Sequence, residues 1–145
     1  RRHTRSLCDW SSDVCSSDLL QQGQDYTKKD GVTIPNHEVT IASSPARSYA
    51  YCADTLYDET LANKLKGIKV IYHETTYLKD QEEKARQRYH STTVQAAQFA
   101  KIAGASKLII GHYSSKYEHI DAFLTEAKSV FENTEAAIEG TCYYI

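Results

Sequence analysis

Three polar side chains stand where three short apolar stretches of the chain end. Asp54, His73 and His112 each close or directly follow a stretch that predicts a strand. Because the carboxyl ends of strands in an open α/β sheet share one rim, we expect the three to converge there. Aspartate and histidine are suitable ligands for a divalent cation such as Zn²⁺. The alternative for each residue alone is structural: a helix cap for Asp54 and a strand-end histidine for the others.

Two more residues indicate acid–base chemistry near this rim. Glu74 follows His73 directly and is placed to orient another histidine through a hydrogen bond; a solvated glutamate is the alternative. His90 stands just before a predicted helix N-terminus, where a cation is disfavoured unless a carboxylate offsets the effect. A histidine held neutral by such a balance is a candidate general acid, and a surface loop histidine is the alternative.

Ser114, Ser115 and Lys116 open the predicted helix that follows His112. Free backbone N–H groups, hydroxyls and an ammonium at such a position suit a phosphate. A capping role for Ser115 is the compatible structural alternative.

The metal ligands in this chain do not make a complete catalytic zinc site. Such a site needs about three protein ligands and a water. The chain contains no H-x-H-x-D-H and no C-x-x-C pattern.

The composition is that of an ordinary globular protein. The chain has 145 residues, 41% apolar and 25% charged, with a net charge of −2, so one domain is expected and no broad basic face for nucleic acid. No long apolar run predicts a membrane span, and four cysteines are too few for a disulfide scaffold. We therefore expect a reduced, cytoplasmic protein.

The first residues differ from the rest. Residues 1–19 hold a near-repeat, Ser11-Ser12-Asp13 and Ser16-Ser17-Asp18, and show no helical or strand periodicity. They are predicted to be a non-native or disordered leader, and residues 20–145 to be the domain proper.

From about residue 21 strands alternate with helices, which predicts an α/β layer with at least partly parallel strands. Capping boxes are predicted at Thr55/Asp58 and Ser115/Glu118, a cap at Ser91 or Thr92, and helix ends at two glycines. Strands are expected over 31–36, 38–42, 47–52, 68–73, 107–111, 134–138 and 142–145, and helices over 56–66, 91–103 and 115–132, with 79–88 helical or looped.

Residues 21–145 resemble the C-terminal half of bacterial ribonuclease Z, of the metallo-β-lactamase superfamily. The resemblance implies an α/β fold, namely the C-terminal half of a metallo-β-lactamase-like αββα sandwich. Four blocks carry it in order, together with an ending similar to the family's F-x-N-T…A-x-D-G: Ser48–Thr55, His73–Tyr77, His90–Thr92 and Gly111–Tyr117.

The resemblance implies a role for each candidate residue. Asp54 would bridge two zinc ions, and His112 would bind one of them. His90 would donate a proton to the leaving 3′ oxygen, with Glu74 orienting it and His73 supporting the same cluster. The activity implied is zinc-dependent cleavage of a phosphodiester at the 3′ end of precursor tRNA.

The resemblance also implies a substrate site and partners. Ser114 and Lys116 would hold tRNA phosphate, although the family commonly has arginine at the second position, and lysine offers a point charge instead of a bidentate fork. A homodimer is implied, in which one subunit grips the tRNA that the other cuts.

The family's H-x-H-x-D-H block, another metal histidine and its tRNA-gripping arm precede the matching segment. We therefore expect the chain to be a fragment that alone binds zinc weakly and cleaves nothing. The alternatives are a superfamily hydrolase of small sulfate or phosphate esters, and a non-catalytic interaction module.

Overall fold

The computed structural model of the chain describes residues 16–144, which fall into two compact units divided between Ala46 and Arg47. Every candidate site residue lies in the second unit. Residues 1–15 of the predicted leader lie outside the described residues. Its last residues belong to a helix that begins at Ser16.

The described part of the first unit is a small hairpin between two short helices. The predicted strand over 38–42 is wrong, because this segment begins inside a helix that follows Pro35. The buried Asn36 amide donates to the carbonyls of Leu20 and Gln24 at 2.8 and 2.9 Å, so side-chain contacts outweigh strand preference here. The elements are α1 Ser16–Gln21, β1 Tyr26–Thr27, β2 Thr33–Ile34 and α2 Asn36–Val39.

The second unit is built on a sheet of four parallel strands in sequential order. The register sets Cys52 beside His73 and Glu74 beside Gly111, so the strand ends form one rim. The predicted α/β class with parallel strands is confirmed. The strands are β3 Tyr49–Cys52, β4 Val70–Glu74, β5 Lys107–Gly111 and β6 Thr134–Ala136.

The helices that connect these strands bury their apolar sides against one face of the sheet. Sequential parallel strands joined by right-handed crossovers place successive helices on the same face. Ala62, Phe99 and Phe123, one from each of three helices, share a core cluster with Ile71 and the other inward strand residues. The helices are α3 Glu59–Lys64, a 3₁₀ turn Lys79–Gln81 leading into α4 Glu82–Gln87, α5 Thr93–Ala103 and α6 Asp121–Lys128.

The start of α5 follows the sequence closely. Thr92 accepts the amide of Gln95, and the Gln95 side chain accepts the amide of Thr92, which completes a capping box. Gly104 ends the helix in the left-handed conformation, as predicted. This helix therefore holds the preceding residues, His90 among them, in a fixed position.

Two predicted helix starts and one predicted strand are wrong. Helix α3 is capped by Asp58, which accepts the amide of Thr60 at 2.8 Å; the Thr55 amide bonds elsewhere. Helix α6 starts only at Asp121 and has no side-chain cap, so no capping box forms at Ser115. Residues 142–144 form no strand, and the Tyr143 hydroxyl instead donates to the Ala136 carbonyl at 2.7 Å.

On the opposite face of the sheet, the end of β5 is too closely packed to accept a side chain. A methyl group on Gly111 would meet the ring of Tyr72, with Cε2 only 2.8 Å away. That ring in turn stacks on Tyr51, with centroids 4.6 Å apart. A side chain at this position must therefore displace two aromatic rings.

We expect Gly111→Ala to lower the free energy of unfolding by about 1–3 kcal/mol, the usual cost of overpacking. Urea unfolding of the chain measures it. In a Tyr72→Ala background the same substitution should cost at least ~0.5 kcal/mol less, because the clash has gone. An equal cost in both backgrounds would refute the explanation.

Candidate metal centre

Four of the predicted site residues meet at the rim of the sheet. Glu74 ends β4 and His112 directly follows β5, while Asp54 follows β3 and His90 precedes the cap of α5. Imidazole and carboxylate groups from four separate segments thus face one point. Asp54 and His112 converge as expected, with His90 beside them. The expectation that His73 joins them is wrong, because its ring is buried against Phe99.

The backbone is unusual at the points where this cluster is made. Among the described residues, the non-glycine residues with positive φ are Asp54 at 46°, Tyr89 at 61° and His112 at 59°. Two of them are cluster members, and the third directly precedes His90. Left-handed backbone costs free energy for such residues and is concentrated at functional sites. It turns the chain sharply as each strand ends and directs the side chain over the rim.

Asp54 and His112 form the exposed side of the cluster. His112 Nε2 lies 3.0 Å from Asp54 Oδ1, with side chains 44% and 70% exposed. One potential ligand atom from each of Asp54, His90 and His112 falls within 4.8 Å of the others. The rings of His90 and His112 lie 5.4 Å apart.

Glu74 is the buried centre of the cluster, with no solvent exposure. Its Oε1 accepts from His90 Nδ1 at 2.8 Å and from the Thr55 amide at 3.1 Å. Its Oε2 accepts from the Thr76 hydroxyl at 2.6 Å and from the Thr76 amide at 3.1 Å. A buried carboxylate must be hydrogen-bonded to be tolerated, and here the donors are His90, the neighbour of Asp54, and Thr76.

A further hydrogen bond ties two of the converging segments together. The Ser91 hydroxyl donates to the Thr55 carbonyl at 2.8 Å. The neighbours of His90 and of Asp54 are therefore joined directly, which fixes the distance between the two side chains.

His73 is not brought into this cluster. Successive strand residues point to opposite faces of a sheet, so His73 faces the helices while Glu74 faces the rim. Its ring is fully buried and meets Phe99 edge-on at 4.8 Å. Nδ1–H donates to the Glu74 carbonyl at 2.8 Å, and Nε2 has no hydrogen-bond partner.

The predicted phosphate site lacks the helix N-terminus but retains the lysine ammonium. Because α6 begins at Asp121, Ser114 and Lys116 lie in a turn and not at a helix N-terminus, so that expectation is wrong. The Ser114 amide is already bonded to the Thr76 carbonyl at 3.2 Å. The Lys116 ammonium is exposed and lies 5.3 Å from the ring centre of Tyr77.

Sequence reasoning missed three residues around the cluster. Thr76 joins Glu74 to His112, with its hydroxyl 2.9 Å from His112 Nδ1. The Tyr77 ring lies 6.2 Å from that of His90, and the Lys84 ammonium lies 5.7 Å from the Tyr77 ring centre. The sequence signal for Thr76 and Tyr77 was their place in the block His73–Tyr77, one of the four that carry the family resemblance.

The donor set of the cluster fits a divalent metal ion. His112 Nε2 and Asp54 Oδ1 face each other at 3.0 Å, and two lone pairs at that distance repel unless a proton or a cation lies between them. One carboxylate and imidazole nitrogens are ligands that Zn²⁺ accepts. Asp54 and His112 would hold the ion, with His90 as the adjacent nitrogen.

Solved structures define the class of fold. The metallo-β-lactamase fold protein YhfI of Bacillus subtilis matches 81% of this chain and 47% of its own, with a TM-score of 0.58 and 22% identity. A long form RNase Z from yeast matches 96% of this chain and 22% of its own, with a TM-score of 0.50 and 18% identity. The chain has the fold of part of a metallo-β-lactamase-like protein.

Sequence comparison finds curated relatives for most of the chain, although no family model matches it. Ribonuclease Z of Porphyromonas gingivalis is 42% identical over 83% of this chain, and that of Cytophaga hutchinsonii is 42% identical over 87%. Over most of its length the chain is similar in sequence to these ribonuclease Z proteins. It spans about two-fifths of the length of these curated relatives, 40% and 41%.

The placement of His73 gives a prediction for acid stability. Burial lowers the pKa of His73, partly offset by its bond to the Glu74 carbonyl. In the unfolded chain a histidine titrates at about 6.5, so below that pH the unfolded state binds a proton that the folded state does not. The free energy of unfolding is therefore unaffected by His73 protonation above about pH 6.5. It falls as the pH drops below that value, by at most ~1.4 kcal/mol per pH unit.

We therefore expect His73→Asn, which keeps a donor for the Glu74 carbonyl, to show a shallower loss of stability between pH 7 and pH 5. Urea unfolding at each pH measures the slope. His119→Asn, at an exposed position of the same unit, is the control and should leave the slope unchanged. Equal slopes for both variants would show that His73 does not set the acid response.

Proposed function

We propose that the chain carries the acid–base residues and part of the metal ligands of a ribonuclease Z active site, which processes the 3′ end of precursor tRNA. The observation that carries the proposal is the buried Glu74 carboxylate, which holds His90 2.8 Å away beside the Asp54–His112 pair. The ribonuclease Z relatives support the choice of tRNA over small sulfate or phosphate esters. The grouping of a carboxylate and two imidazoles that could hold a metal ion favours a catalytic site over a non-catalytic interaction module.

Asp54 and His112 are the proposed metal ligands, with zinc as the proposed ion and two ions in the complete site. A bound zinc ion supplies Lewis-acid activation of water and neutralises charge on the phosphodiester. The chain's own part is to hold the carboxylate and the imidazole at the rim. Their left-handed backbone and the Thr55–Glu74 hydrogen bond support that role.

His90 is the proposed general acid. Its Nδ1–H is engaged by Glu74, so Nε2 is the nitrogen left to carry a proton to a leaving oxygen. The hydrogen bond from Nδ1–H to the Glu74 carboxylate fixes the orientation of the ring. His73 would act only through the end of β4, since its ring meets the backbone carbonyl of Glu74.

We propose that Lys116 binds the tRNA phosphate and that the Ser114 hydroxyl, in the same turn, donates a hydrogen bond to it. The centre of the Tyr77 ring lies 6.2 Å from the ring of His90, 5.3 Å from the Lys116 ammonium and 5.7 Å from the Lys84 ammonium. A phosphate bound by these ammonium groups would therefore lie near the Tyr77 ring, which also neighbours the general acid. A homodimer and a cytoplasmic location complete the proposal, by resemblance to the family and from the composition.

A hybrid protein tests the activity, since the chain spans only about two-fifths of its relatives. The chain replaces the matching segment of the Porphyromonas gingivalis relative, and cleavage of a precursor tRNA is followed on gels. We expect cut product at the 3′ end from the zinc-loaded hybrid and none from this chain alone. Cleavage by the isolated chain would contradict its assignment as part of a site, and an inactive, folded hybrid would contradict the function.

The same hybrid separates the metal ligands from the general acid. Asp54→Ala should abolish cleavage and lower the zinc content measured by atomic absorption. His90→Ala should retain zinc and lower kcat by about 10²–10⁴-fold, the usual contribution of a positioned acid. His119→Ala is the matched control and should behave as the unaltered hybrid. Loss of zinc in His90→Ala would make His90 a ligand instead.

A further inference from the structure

The hydroxyl of Thr76 lies between the buried carboxylate and the exposed histidine of the cluster. Its Oγ1 is 2.6 Å from Glu74 Oε2 and 2.9 Å from His112 Nδ1. Nδ1 and Oε2 themselves lie 4.0 Å apart, too far for a direct hydrogen bond. The Thr76 hydroxyl therefore links the two groups by hydrogen bonds.

The hydroxyl has one proton, and its neighbours decide where that proton points. An ionised carboxylate only accepts hydrogen bonds, so at 2.6 Å the Thr76 hydroxyl must donate to Glu74. The hydroxyl oxygen then accepts, and only a protonated Nδ1 of His112 can donate to it at 2.9 Å. The reverse order would place two acceptors, Oγ1 and Oε2, against each other.

In the neutral ring this order leaves the lone pair on Nε2, the nitrogen that faces Asp54 at 3.0 Å, where a cation can lie between the two groups. Glu74 does the same for His90 directly, through Nδ1 at 2.8 Å. One buried carboxylate thus sets the tautomer of two histidines, of one by contact and of the other through a hydroxyl.

We propose that Thr76 is a positioning residue that holds His112 in its Nδ1–H tautomer, so that Nε2 is ready to bind a metal ion together with Asp54. The proposal rests on the proposed metal-dependent function and deepens it. Ligating histidines need such a partner on their other nitrogen to fix the ring and its tautomer.

The surroundings of Thr76 hold the hydroxyl in place. The residue is 7% exposed, its amide also donates to Glu74 Oε2 at 3.1 Å, and its carbonyl accepts from the Ser114 amide at 3.2 Å. Both sides of its backbone are therefore fixed, and little rotation of the side chain is possible without breaking the bond to Glu74.

Nitrogen-15 NMR of the histidine rings tests the proposal without metal or RNA. The Asp54→Ala chain is used, because it removes the competing acceptor at Nε2. Spectra are taken at pH ~8.5, about two units above the ordinary histidine pKa. We expect a protonated Nδ1 and an unprotonated Nε2 on His112. Adding Thr76→Val should move the proton partly or wholly to Nε2, and Thr76→Ser should restore the first pattern.

His90 provides the internal control in the same spectra. It is bonded to Glu74 directly, so its Nδ1–H form should persist in all variants and show that the cluster is still folded. An Nε2–H tautomer of His112 in the presence of Thr76, or no change with Thr76→Val while His90 keeps its pattern, overturns the proposal. If His90 also changes in Thr76→Val, the Thr76→Ser spectrum decides: failure to show Nδ1–H there overturns it as well.

Zinc affinity gives the second measurement, on the chain with Asp54 intact. Thr76→Val should weaken the binding of Zn²⁺ alone by about tenfold, within the usual range for loss of a residue that hydrogen-bonds a metal ligand. Competition with a chromophoric chelator measures the affinity. Thr76→Ser should restore it. A shifted tautomer with unchanged affinity would overturn the link to the metal, whereas an inactive hybrid with the expected tautomers would count against the nuclease function alone.

Discussion

The cluster depends on one buried negative charge. Glu74 has no solvent exposure, and its two oxygens accept hydrogen bonds from the Thr55 amide, His90 and both donors of Thr76. A carboxylate without such partners would not be tolerated in this position. The cost of burying the charge is offset only when three chain segments approach together, so the same interactions that stabilise Glu74 also assemble the site.

The sheet makes that approach possible, and its periodicity selects which residues take part. Parallel strands in sequential order bring Glu74 beside Gly111 at the rim. Because successive residues face opposite sides, His73 is directed into the helix-covered core and Glu74 over the rim. Left-handed backbone at Asp54 and His112 then turns each side chain toward the common point.

Local chemistry made much of the fold predictable. The parallel strands over 47–52, 68–73 and 107–111, and helix α5 with its Thr92 cap and Gly104 end, follow from short-range patterns. One prediction failed because a longer-range partner took the group that a local motif would use: the Thr55 amide bonds to Glu74 and not within a capping box. The predicted Ser115 box fails for a different reason, since α6 begins only at Asp121.

The sequence by itself determined the α/β class, the strand-end placement of Asp54 and His112, and the similarity to ribonuclease Z, because these are written in residue types and their spacing. Only the tertiary structure decided that His73 lies in the core, that Lys116 reaches the Tyr77 ring, and that Thr76 joins Glu74 to His112. Hydrogen bonds between distant segments have no local signature, and their geometry exists only once the strands are in register.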